Sequence, residues 1–227
     1  MTRGTKIFIF ISSLAISLLS PFTSQAQEST PFSEDYDSVA FVNGFSVSVD
    51  LVGIIQRAVS DYGQIEASLR LNLLDRYFPI IEAGVGLSKH EDVVTLISYK
   101  SNAPFFRIGM DYNLMKDKHD VYRIFGGARY AFSYFSCDIS HPVLEDPVWG
   151  GNANYGAEGA KCNYHWAELS AGVDAKIWGP VHLGWSVRYR KRLFYSNGGV
   201  DNVWYVPGYG ISGSNRLGGM FNITIDI

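Results

Sequence analysis

A two-residue alternation, repeated eight times between residue 41 and the C-terminus, constrains this chain more than any other feature. The clearest segment sets Ile65, Ala67, Leu69, Leu71 and Leu73 against Gln64, Glu66, Ser68, Arg70 and Asn72. The first sets Phe45, Val47, Val49 and Leu51 against Ser46, Ser48 and Asp50, and the last sets Phe221, Ile223, Ile225 and Ile227 against Asn222, Thr224 and Asp226. Period two puts alternate side chains on opposite faces of a strand. Each segment is near the roughly 9–11 residues that a tilted strand needs to cross a bilayer. No stretch shows a helical period of comparable length, so the expected fold is all-β: a closed antiparallel eight-stranded up-and-down transmembrane β-barrel over residues 41–227.

The connections have the same rhythm. Residues 74–77, 114–120 and 178–180 are short, whereas 89–104, 134–163 and 193–213 are long and rich in Gly, Asn and aromatics. The first connection, near 53–61, is a modest loop. Short turns on the periplasmic side and long loops outside are the pattern of outer-membrane barrels, with both chain ends periplasmic.

A soluble barrel of lipocalin type hides its oily face, whereas a membrane barrel shows it to lipid and keeps a polar interior. The polar faces hold Asp50, Glu66, Glu82, Asp111, Glu168, Asp174 and Asp226 with Arg70, Arg107, Arg123, Arg129, Lys176, Arg188 and Arg190. A solvated surface could carry such a mix. Against that, aromatics gather at both ends of the oily faces: Tyr77, Phe78, Tyr112, Tyr122 and Trp178 near the short turns, and Phe132, Tyr134, Tyr164, Tyr189 and Tyr195 near the long loops, as interfacial girdles would. The membrane barrel is therefore the expectation, with a lumen plugged by paired charges, because a buried charge without a partner costs several kcal/mol.

Ahead of the barrel, Arg3 and Lys6, the apolar run from Ile7 to Leu19 and Ser24-Gln25-Ala26 form a secretory signal over residues 1–26, followed by an acidic periplasmic tail over 27–40. Export makes a disulfide the expected state of the only two cysteines, Cys137 and Cys162, stabilising by about 3.5 kcal/mol in the loop-entropy account. Neither has ligand-spaced partners, so no metal is expected, and no cofactor either. A net charge of −3 leaves no basic footprint for nucleic acid.

Over residues 41–227 the chain resembles the small outer-membrane barrels of the OmpX and OmpA-transmembrane-domain type. Arg216-x-Gly218-x-x-Phe221-x-Ile223, continued by Ile225 and Ile227, resembles the signal by which the barrel-assembly machinery recognises its substrates, although that signal commonly ends on an aromatic residue. PIIEAGVGLS, APFFRIGMDYNL and HWAELSAGVDAKIWGP resemble an uncharacterised barrel family of the Bacteroidota, which implies fold and location but no activity.

Some small barrels are lipid A-modifying or proteolytic enzymes with a His beside an acid. The candidates here are His141 with Glu145 and Asp146, His165 with Glu168, and His182. The first group sits between prolines, the second points to opposite strand faces, and the third lies near a periplasmic turn. Binding is the preferred reading. Arg190, Lys191 and Arg192 could meet lipopolysaccharide phosphates, or Arg190 could join the lumen charges. PVWGGNANYGAEG and VWYVPGYG carry Trp and Tyr suited to docking an outer-membrane protein partner.

Overall fold

The computed structural model describes residues 40–117, 120, 122–142, 144–145, 152–153, 156–200 and 203–227, of which 144–145 and 152–153 by backbone alone. The signal segment 1–26 and tail residues 27–39 lie outside them. Eight strands close in chain order into one antiparallel ring: β1 (Val42–Asp50), β2 (Tyr62–Leu73), β3 (Tyr77–Glu91), β4 (Ser98–Asn113), β5 (Tyr122–Ser140), β6 (Gly156–Trp178), β7 (Val181–Ser196) and β8 (Asn215–Asp226). β8 returns to β1, pairing Asn222 with Asp50 through Asp226 with Ser46. The all-β closed up-and-down barrel read from the alternation is thus the observed fold.

Three features depart from the expected outline. The first connection is a helix, α1 (Leu51–Val59), whose N-terminus Asp50 caps by accepting from the Val52 and Gly53 amides. It lies between β2 and β8 because β1 stops early. Above the Asp50–Asn222 pair, β8 has only β7 as a strand neighbour, and residues 62–66 of β2 have only β3. The helix fills this seam at close range: a Cβ on Gly63 would meet the Arg57 backbone at 2.5 Å. Most of residues 89–104 and 134–163 is strand, since β3 runs on to Glu91, β4 begins at Ser98, β5 reaches Ser140 and β6 begins at Gly156. Finally, VWYVPGYG turns inward as a small hairpin, pairing Tyr205–Val206 with Gly210–Ile211, in the barrel mouth.

The longer strands carry an inversion of polarity along the barrel axis. In the half nearest the short turns, most inward positions are charged (Glu66, Glu82, Arg107, Asp111, Arg129, Glu168), with Phe78, Ile80 and Phe125 packed among them, while outward positions are apolar and exposed (Leu69, Ile81, Ile108, Ile124, Val173). In the other half, inward positions are apolar and buried (Tyr99, Phe105, Phe135, Ile139, Tyr164, Trp166), while Lys89, Glu91, Lys100, Asn102, Ser136, Asp138 and Lys161 face outward. On β4 the change falls between adjacent residues, where Arg107 is the last inward charge and Phe106 the last outward aromatic. Outward aromatics bracket the apolar band: Tyr77, Tyr112, Tyr122 and Trp178 at the lower edge, and Phe106, Tyr130 and Tyr134 at the upper. From Tyr122 to Phe132 on β5, at ~3.3 Å per residue and a tilt of roughly 40°, the band is about 25 Å tall. Two expected girdle members face inward instead: Phe78, under Arg123, and Tyr164, in the upper core. Their strand phase puts them on the polar-side face.

Candidate functional site

The lower lumen is built around one carboxylate. Glu82 takes both amine arms of Arg188 at 2.8 and 2.9 Å, Arg129 Nε at 2.9 Å and Arg107 Nη1 at 3.0 Å. Arg107 Nη1 also donates to Glu66 at 2.7 Å, and its Nε lies 3.0 Å from Glu168 Oε1. Arg129 Nη2 continues to Asp111 at 3.0 Å, which Arg70 reaches at 3.3 Å, and Arg129 Nη1 donates to Ser170. Six strands, β2 to β7, contribute, and the principal members are almost wholly buried. Such charges persist only because each has several opposite or hydrogen-bonded neighbours. Bidentate pairing of Arg188 adds geometric definition to the charge attraction. A recess between Ser48, Glu66, Arg70, Glu82 and Arg188 holds about 10 Å³, room for at most one water.

Above the network, the hairpin is held by the same arginines. Arg107 Nη2 donates to the Gly208 carbonyl at 2.8 Å and Arg190 Nη1 to the Tyr209 carbonyl at 2.9 Å. Tyr99 donates to the Tyr205 carbonyl at 2.6 Å, and the Tyr205 hydroxyl to the Gly63 carbonyl at 3.1 Å. Burial pushes the Tyr205 and Tyr209 hydroxyls up, so both stay neutral donors. Gly208 has φ +80, and a Cβ there would lie 2.4 Å from the Phe105 ring, so backbone and space both require glycine. Tyr205, Val206 and Tyr209 are buried, which removes them from the exposed docking surface expected of VWYVPGYG. Of PVWGGNANYGAEG, the residues 147–151, 154 and 155 lie outside the described residues.

The remaining expected lumen charges divide by position. Asp50 is buried and makes no ion pair among the described residues; it caps α1 and accepts the Phe221 amide at 3.2 Å. Arg123 lies over Phe78 and 3.8 Å from Asp174. Asp226 is half-exposed at the lower mouth, 2.8 Å from His182, whose other nitrogen lies 3.5 Å from Asp174. Lys176 is exposed at the lower rim and joins no ion pair among the described residues. The three residues considered for lipopolysaccharide separate: Arg190 is buried in the lumen, Lys191 is exposed on the outer wall, and Arg192 stacks on Tyr195 at 4.0 Å. Alternation along β7 sends Arg190 and Lys191 to opposite sides. In the C-terminal motif, Gly218 lies inward beside Arg190, and Ile225 and Ile227 are exposed.

Cys137 and Cys162 are two buried thiols 3.8 Å apart, unbonded in this structure. Neighbouring strands bring the two sulfurs of the expected disulfide together, without a bond between them.

Among the described residues, His141 has a single hydrogen-bond partner, the Pro142 carbonyl beside it. Glu145 is described by backbone alone and Asp146 lies outside the described residues. His165 faces outward in an aromatic cluster, 2.8 Å from the Tyr130 hydroxyl and 3.5 Å from that of Tyr134. Sequence reasoning missed His90, whose Nδ1 lies 2.9 Å from Asp61 Oδ2 and whose ring stacks on Trp204 at 4.0 Å. These rings border an outward-opening recess of about 330 Å³, with Tyr99, Thr95, Ile139 and Ser212. The lone signal for it was a Trp in the third long loop, since the Asp61–His90 pairing depends on strand register.

Together these features define a closed eight-stranded barrel with a charge-packed interior and an inward-folded hairpin over its mouth. The chain belongs to the family described as Domain of unknown function (DUF6048), whose model matches residues 6–226. No curated protein matches it in sequence. Among solved structures it is similar to Ail, the attachment invasion locus protein of Yersinia pestis, in complex with the heparin analogue sucrose octasulfate, at 10% identity and a TM-score of 0.40, covering 81% of this chain and 97% of that one.

Proposed function

We propose that the chain is an integral, non-enzymatic outer-membrane barrel, closed to flow, whose upper half stands outside the cell as a rigid surface for a partner. The inversion of polarity carries this reading. An apolar outer belt about 25 Å tall around a charged core suits lipid outside, and a polar outer wall around an aromatic core suits water. Closure is supported by the Glu82-centred charges and by the hairpin above them. In this reading residues 1–26 are cleaved on export, the barrel-assembly machinery reads the Gly218–Ile227 motif, the short turns and both chain ends are periplasmic, and the oily belt meets outer-membrane lipid with Lys191 near lipopolysaccharide. The oxidising exterior closes Cys137 and Cys162 into a disulfide. Partner docking falls to the outward polar wall of β3 to β6 and the recess beside Trp204, in place of the buried hairpin.

Fractionation with heat-dependent gel migration tests location, and maleimide labelling of Ser136→Cys in intact cells tests orientation. Recovery in the soluble fraction, or labelling only after lysis, would overturn the reading. One observation favours an enzymatic alternative, namely the Asp61–His90 pair beside a recess that also bears Ser212. Loss of a lipid A modification or a proteolytic activity in His90→Ala would establish it.

A further inference from the structure

The seam left by the short β1 is more than a gap bridged by a helix. β8 runs on from Met220 to Asn215 without a strand on its β1 side. The Phe221 amide points into the seam, where Asp50 accepts it. Because amides alternate along a strand, those of Gly219 and Leu217 point the same way, and no backbone hydrogen bond to them from α1 is present. In hydrocarbon an open strand edge of this kind must be satisfied by something. α1 covers it with a mostly apolar surface, and Ile54, Ile55 and Val59 are exposed on the outside.

Behind α1 lies a cavity of about 190 Å³ walled by Gly53, Gln56, Gln64, Arg190, Arg216 and Gly218. Two guanidinium groups reach it. Arg190 is buried, with Nη1 engaged by the Tyr209 carbonyl and Nε 3.3 Å from Glu168. Its Nη2 carries no hydrogen bond among the described residues, and it lies 3.5 Å from where a Cβ on Gly218 would be. Arg216 is half-buried and has no hydrogen bond or ion pair among the described residues. The one carboxylate in the wall, Asp50, is occupied by the α1 and β8 amides. The cavity thus offers spare positive hydrogen-bond donors, and its volume exceeds the roughly 30 Å³ per water several times, enough for a phosphate group. Arginine pairs are suited to such oxyanions.

We infer that the α1-covered seam between β2 and β8 is a binding site for the phosphate-bearing headgroup of an outer-leaflet lipid, with Arg190 Nη2 and Arg216 holding the phosphate. The seam runs up the wall from Trp185, paired with Phe221, to Lys191, paired with Asn215. An acyl chain can there follow exposed Leu217 and the outer face of α1 while the headgroup turns inward. This inference rests on the membrane reading above.

The test uses the full mature chain folded into lipid nanodiscs, with folding read independently by heat-dependent migration. Retained lipid is counted by native mass spectrometry for bisphosphorylated lipid A, for the same lipid with its phosphates removed, and with inorganic phosphate as competitor. Bisphosphorylated lipid A should bind, and both phosphate removal and Arg216→Gln should weaken binding about tenfold, the worth of one charge-assisted hydrogen bond. In Ile55→Trp the new indole should be quenched by brominated acyl chains. Partial displacement by excess inorganic phosphate is expected of such a site, whereas equal retention of the two lipids, unchanged binding by Arg216→Gln, or an unquenched indole in Ile55→Trp would each overturn it. A chain that inserts but ignores the phosphate defeats this inference alone, whereas a chain that stays soluble defeats the membrane reading and this inference with it.

Discussion

The two halves of the barrel solve the same packing problem with opposite chemistry. In the lower half the strands enclose Glu82, Arg107, Arg129 and Arg188, and stability comes from charges that satisfy one another. In the upper half the same strands enclose Phe105, Phe135, Tyr164 and Trp166, with apolar burial as in a soluble barrel. β5 runs through both as one strand, from Tyr122 to Ser140, and pairs with its neighbours in both halves, with a register shift against β6 between Cys137 and Ile139. What changes is the solvent each wall is suited to, and the interior takes the complement. Strand pairing is therefore indifferent to the environment, and side-chain phase alone records it.

The largest test of this contrast is a charge on each outer wall. Phe221→Asp, in the lower half, should abolish insertion, with no heat-modifiable band, whereas Ser136→Asp, equally a new carboxylate but on the upper wall, should insert like the parent chain. If both insert, the halves do not differ as described. Next come the interiors. Glu82→Ala leaves Arg188, Arg129 and Arg107 without their shared partner and should cost about 3–5 kcal/mol. Phe135→Ala should cost a similar ~3–5 kcal/mol through a cavity in the upper core. Urea titration of the folded protein in vesicles reads both, and in planar bilayers only Glu82→Ala should raise conductance, because the seal belongs to the lower half. A smaller effect is expected from Gly208→Ala, roughly 1–3 kcal/mol from the strained φ and the Phe105 clash. It should loosen the hairpin, seen as faster amide exchange over residues 203–211, while conductance stays nil. The smallest follows Cys137→Ser with Cys162→Ser in the presence of reductant, within about 1 kcal/mol. Under oxidising conditions the same pair of substitutions should cost ~3 kcal/mol by removing the disulfide, and equal stability of parent and variant there would rule the bond out.

Much of the site is legible in the sequence. Glu66, Glu82, Arg107, Arg129, Glu168 and Arg188 were assigned to one interior from strand phase alone, and they do meet there. The errors fall where phase is silent. Asp50 stands on the inward face yet ends a strand, so it caps a helix; Lys176 follows the same alternation past the point where the barrel closes over it. The long segments 89–104 and 134–163 looked like loops because their alternation reverses sense, with apolar residues now inside and polar ones outside.

By itself, then, the sequence determined the strands, their faces and the antiparallel ring, because alternation is a local property of an extended chain and short turns leave neighbours little choice but to pair. Only the tertiary structure decided how far β1 extends along β8, that α1 fills the resulting seam, that residues 203–211 fold into the mouth under Arg107 and Arg190, and that Asp61 meets His90. Each of these depends on stagger between strands far apart in the chain, and stagger is set by the closure of the ring as a whole.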